Sequence, residues 1–101
     1  MGRRPVDNSE LSRWRDMDVR ALLSVLAGYV KQDSTFVPTT SLTSSRWHLI
    51  VDDRHFELLC TGSRFFDTRA EKGGAGAIDL TMHLLNLTFL QAVRLLRERG
   101  I

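Results

Sequence analysis

Val19, Leu22, Leu23 and Leu26 recur at i, i+3, i+4 and i+7, the spacing of one apolar stripe on a helix. This predicts a helix over about 17–27. Asp16 or Asp18 can cap its start, because a carboxylate accepts the orphan amide protons of a first turn. Gly28 suits a left-handed C-cap. Downstream the period changes from 3.6 to 2. Trp47, Leu49 and Val51 alternate with Arg46, His48 and Ile50. After a turn at Asp52-Asp53-Arg54, Phe56, Leu58 and Cys60 alternate with His55, Glu57 and Leu59. A third β-run covers about 63–69, where the adjacent Phe65 and Phe66 must point to opposite sides. Three such runs split by short turns predict an antiparallel meander. One face is nearly all apolar and should meet the helices. The other carries Arg46, His48, Ile50, His55, Glu57, Leu59, Arg64 and Phe66.

The flanking segments are less patterned. Residues 1–15 are polar and hold Arg3, Arg4, Arg13 and Arg15; they read as a flexible basic arm with one short turn around 11–14. Residues 31–45, rich in Ser and Thr around Pro38, read as a loop. Gly73, Gly74 and Gly76 form a strand-to-helix turn needing positive φ angles. A helix over about 77–85 follows, with Ile78, Met82 and Leu85 on its core face. Thr88-Phe89-Leu90-Gln91 matches a capping box and opens the last helix. The expected fold is therefore α+β: an N-terminal helix, a three-stranded antiparallel sheet, and two C-terminal helices packed on one sheet face. The arm takes 1–15 and a single domain takes 16–101.

Composition narrows the function classes. A chain of 101 residues, 43% hydrophobic and 26% charged, suits one core. Its single cysteine, Cys60, excludes a disulfide framework and any zinc site with two thiolates. No apolar run nears the roughly 20 residues of a membrane span, and Met1-Gly2-Arg3-Arg4-Pro5 leads into no signal core. A cytoplasmic location and no membrane partner are expected. The net charge of +2 is mild. Twelve of the 14 basic residues are nonetheless Arg, the better partner for phosphates and stacked bases.

No enzymatic constellation emerges. A P-loop needs its Lys after the glycines, whereas Lys72 precedes them. His48, His55, His83 and Cys60 lack the short spacings of a structural zinc site. Cys60 sits on the apolar face, where a thiol behaves as a small hydrophobe, and no Gly-x-Ser-x-Gly elbow occurs. Asp52 and Asp53 lie in a hairpin turn, where Asp is favoured for local hydrogen bonding. No catalytic residue, metal or cofactor is expected. The open sheet face remains, with Arg46, His48, Arg64 and Phe66 on it and Arg69 and Lys72 just beyond. Single-strand binding surfaces combine aromatic platforms with basic side chains that track phosphates.

The run Phe65-Phe66-Asp67-Thr68-Arg69-Ala70-Glu71-Lys72-Gly73-Gly74-Ala75-Gly76-Ala77-Ile78-Asp79-Leu80, followed by Phe89, Gln91, Ala92, Val93 and Leu96, resembles the zinc-binding domain at the N-terminus of bacterial DNA primases. It is most similar to the zinc-less relatives in primase-like, Toprim-associated proteins of plasmids, phages and integrative elements. The likeness covers about 80 residues and is specific over about 30. Phe66, Gly73, Gly74, Gly76, Ile78 and Asp79 match by position and look structural. The zinc does not carry over, since Phe66, Asp67 and Thr68 stand near the second ligand pair and Ser and Thr fill the first segment. Trp47, Phe56 and neighbouring leucines would replace the metal by packing. The resemblance implies a non-enzymatic accessory module of replication or plasmid transfer that offers a sheet face to single-stranded DNA. In that role Arg46, Arg64, Arg69 and Lys72 would meet phosphates, and Phe66 or His48 would stack on bases. The alternative is a protein-interaction domain docking a larger replication or mobilisation protein.

Overall fold

In the computed structural model, which describes residues 5–101, four helices and a five-stranded antiparallel sheet share one core. The expected three-stranded sheet with one leading and two trailing helices is thus corrected by two strands and one helix. Arg3 and Arg4 lie outside the described residues.

The extra helix is α1 (Asn8–Arg15), within the segment read as an arm. Asp7 caps it by accepting the Glu10 N–H at 2.8 Å. Its single large apolar anchor, Trp14, is 0% exposed, and the indole N–H donates to the Ile101 carbonyl at 3.1 Å. Arg97 reaches across to Glu10 at 2.6 Å and to the Pro5 carbonyl at 3.0 Å. A polar octet with one buried indole has no readable stripe, so tertiary contact decides this helix.

Helix α2 (Arg20–Leu26) is shorter than the pattern predicts. Asp18 accepts the Arg20 N–H at 2.9 Å and so covers a first-turn donor. Gly28 is not left-handed; its N–H donates to the Ile50 carbonyl and leads directly into β1 (Tyr29–Gln32). This strand occupies the start of the expected 31–45 loop. Only Val30 packs against the core, as suits an edge strand too short to show alternation.

The meander continues through β2 (Ser45–Val51), β3 (Arg54–Thr61), β4 (Arg64–Asp67) and β5 (Lys72–Ala75), each pairing with the next. Asp52 and Asp53, at φ of 47° and 68°, make the two-residue turn between β2 and β3 that matches strand twist. The second hidden strand is β5, which the glycines disguise. Gly73 and Gly74 are extended, not left-handed. Their role is close approach: a Cβ on Gly74 would lie 2.9 Å from the Phe65 ring, and one on Gly73 3.3 Å from the Phe66 ring. The two rings thus fill both sides of β5 where its own side chains would stand.

Gly76 does require positive φ, at 81°, and a Cβ there would lie 2.6 Å from the Arg15 Cα and the Trp14 carbonyl. Helix α3 (Gly76–Leu85) starts at this crossing and ends on left-handed Asn86. Helix α4 (Phe89–Glu98) begins with the complete Thr88–Gln91 capping box. The core joins Trp14, Leu22 and Leu23 to Leu49, Leu58 and Leu80, with Trp47 and Phe56 half-buried against it. Among the described residues no helix is long and apolar enough to cross a membrane.

Candidate nucleic-acid interface

Pairing register decides which side chains share the face away from the helices, because opposed residues project from the same side. Arg46 stands opposite Leu59, Leu59 opposite Phe66, and Phe66 opposite Gly73. These four positions form a row across β2 to β5. Thr61 and Arg64 make the next row, and His48 and Glu57 the row on the other side. Four of the six residues singled out from the sequence, Arg46, His48, Arg64 and Phe66, are therefore on one face.

The other two are placed differently. Lys72 stands opposite Asp67, whose buried side chain faces the helices, so Lys72 leaves the sheet on the side away from Phe66. Arg69 lies in the turn between β4 and β5, where its backbone N–H donates to Asp67 at 3.0 Å. The register of this turn places Gly73 opposite Phe66, so Lys72, one residue earlier and opposite Asp67, falls on the other face.

The four cofacial residues differ in electrostatic state. Asp33, just past β1, holds both Arg46 and His48: its Oδ2 lies 2.8 Å from an Arg46 terminal nitrogen and 3.1 Å from His48 Nε2. Its Oδ1 accepts from the Thr35 hydroxyl at 2.5 Å and the Thr35 N–H at 2.9 Å. These bonds, the Thr35 hydroxyl first and His48 next, hold the Asp33 carboxyl well below the usual carboxylate range. The Arg46 guanidinium also stacks on Phe36, 5.1 Å from the ring centre. Arg64, in contrast, is exposed, and its side chain makes no hydrogen bond or ion pair among the described residues. Beside it Phe66 is 42% exposed. The pair borders a hollow of about 700 Å³, also lined by Leu59, Thr61, Ser41 and Ser44. Ser44 and Thr61 hydroxyls meet at 2.7 Å on its wall. An exposed aromatic ring, an Arg side chain without a partner among the described residues and two hydroxyls around an open hollow, which Asp79 also lines, can take a flat base and its phosphate.

Two residues of this face escaped the sequence reading. Tyr29 stands opposite Ile50, and Lys31 opposite His48. Their signal is the alternation Tyr29-x-Lys31 directly after Gly28, visible only if β1 is recognised.

On the helix side, chemistry is muted. Burial pushes the Cys60 thiol up to about 12, so it stays protonated. His83 Nε2 sits 2.6 Å from Asp67 Oδ2, and the imidazole lies between Phe56 and Phe65. Burial raises the Asp67 carboxyl, but hydrogen bonds from Ala70 N–H, His83 and Arg69 N–H outweigh it and hold the carboxyl below its ordinary value. Among the described residues no three His, Cys, Asp or Glu side chains come together in a way that could hold a metal ion. Comparison with protein-family models, with curated proteins and with solved structures returns no match.

Proposed function

We propose that this chain is a non-enzymatic module that binds single-stranded DNA on the open sheet face, as an accessory in cytoplasmic replication or plasmid-transfer machinery. One observation carries the reading: the exposed Phe66 ring lies beside the unpaired Arg64 at an open hollow. Base stacking on an aromatic ring contributes about 1–3 kcal/mol per base, and an unpaired Arg adds phosphate attraction with no internal bond to break. The resemblance of residues 65–96 to zinc-less relatives of the primase zinc-binding domain supports the same role. The centre of the interface is the Phe66–Arg64 corner. Arg46 and His48 are its reserve, since Asp33 already occupies them.

Fluorescence anisotropy with labelled oligo-dT at low salt tests this. Saturable binding is expected, with Phe66→Ala and Arg64→Ala each weakening it about tenfold. Binding that is absent at low salt, or unchanged in both variants, would overturn the reading.

A specific observation favours a second reading, protein docking. Leu42 is 87% exposed and directly follows Ser41, which lines the hollow. Under this reading the oligonucleotide does not bind. Phe66→Asp and Leu42→Asp would instead abolish micromolar association with a replication or mobilisation protein.

A further inference from the structure

The corner formed by Arg64 and Phe66 has a counterpart across the sheet. On β4 a cation and an aromatic residue alternate as Arg64-x-Phe66; on β1 they alternate as Tyr29-x-Lys31. All four project from the open face, as their partners Thr61, Leu59, Ile50 and His48 show. Tyr29 is 48% exposed, and the Lys31 side chain, like that of Arg64, makes no hydrogen bond or ion pair among the described residues.

Register gives the spacing. The Tyr29 row passes through Ile50 to His55, whereas Phe66 stands opposite Leu59. Tyr29 and Phe66 are thus offset by the four residues from His55 to Leu59, about 13 Å along the strands, and by three strand spacings, about 14 Å across them. The diagonal is about 20 Å. Lys31 and Arg64 have the same offset, through Glu57 and Thr61. Each cation is displaced from its aromatic toward the same end of the sheet by about 7 Å. The result is two parallel tracks, one of rings and one of cations. An extended single strand has this form, with bases along one line and phosphates along another.

We infer that Tyr29 and Lys31 are the far contact of a single strand of DNA that crosses the sheet diagonally from Phe66 and Arg64, over a path of about four nucleotides. This rests on the DNA-binding reading above and adds the path, its length and two residues. Glu57 lies between the corners, with its carboxylate turned to the Thr68 hydroxyl at 2.5 Å.

The test is anisotropy with dT2, dT4 and dT8 against the native chain, Tyr29→Ala, Tyr29→Phe and Lys31→Ala. The native chain should gain about tenfold in affinity from dT2 to dT4 and little from dT4 to dT8. Tyr29→Ala should weaken dT8 binding about fivefold or more and erase the gain with length, while Tyr29→Phe retains it. Lys31→Ala, which removes an exposed side chain with no partner among the described residues, gives the same answer should Tyr29→Ala disturb the edge strand. If dT8 binds Tyr29→Ala and Lys31→Ala as tightly as the native chain while Phe66→Ala weakens it, the diagonal path is wrong and the DNA-binding reading stands. If no oligonucleotide binds the native chain, both fall.

Discussion

Asp67 joins three parts of the molecule with one carboxylate. Its Oδ1 accepts the Arg69 and Ala70 N–H groups and so shapes the turn after β4, while Oδ2 meets His83 on α3. Because its folded pKa is below the ordinary 3.8, the native state binds this proton less readily than the unfolded chain. The stabilisation is complete above the unfolded pKa and is lost as pH falls through the folded one. Native stability should therefore drop below about pH 4. Asp67→Asn should melt lower at pH 7, by about 1–3 kcal/mol, and lose much of that acid sensitivity. Thermal melts between pH 7 and pH 3 read both effects. A variant with the native slope against pH would show that other carboxylates govern the acid limb.

At the scale of elements, what the sequence disclosed was set by periodicity. β2 and β3 are long enough to alternate, α2 carries a stripe, and the Thr88–Gln91 box marks α4 by local chemistry alone. The elements that stayed hidden are held by contacts distant in the chain. β5 is a strand because the rings of Phe65 and Phe66 take the space above and below two glycines. β1 is an edge strand with one apolar inward residue, and α1 depends on Trp14. The face of Arg46, His48, Arg64 and Phe66 was legible through alternation in β2 and β4. The Asp33 clasp was not, since no local rule links a loop carboxylate to residues 13 and 15 positions later. Nor was the contribution of Tyr29 and Lys31, which needs β1 to be known. The dependence of α1 on its indole can be measured. Trp14→Ala should lose about 3–5 kcal/mol in urea denaturation, and a loss under about 1 kcal/mol would mean that the segment is only an arm.

For the whole molecule, charge is distributed so that little of it is available on the open sheet face. Arg46 and His48 are held by Asp33, Arg97 by Glu10, and Arg54 by the Leu84 carbonyl. Lys31 and Arg64 remain at the two corners. Two phosphate contacts give a slope of about −1.4 for log affinity against log salt with a single strand. Asp33→Asn releases Arg46, which should steepen the slope to about −2.1 and raise affinity at low salt. An oligo-dT titration from 50 to 200 mM salt separates these values. A slope near zero would place binding on stacking alone, and equal slopes for both proteins would leave Arg46 outside the path.

Asp33 acts in this arrangement as an internal stand-in for a phosphate. It offers Arg46 the same kind of oxygen that DNA would offer, and it does so without dissociating. A dilute small anion cannot compete with a tethered rival, whereas a strand held by Phe66 and Arg64, as proposed, would bring its next phosphate at high local concentration. The exchange also has a mechanical result. Asp33 anchors the Thr35 turn, and the Phe36 ring lies under Arg46, so a strand that claimed Arg46 would remove the Asp33 and Phe36 contacts of that guanidinium while leaving Asp33 bonded to His48 and to the Arg46 carbonyl. Binding would then loosen the Phe36 side of the loop while it orders the sheet face, the reverse of a loop that closes over its ligand.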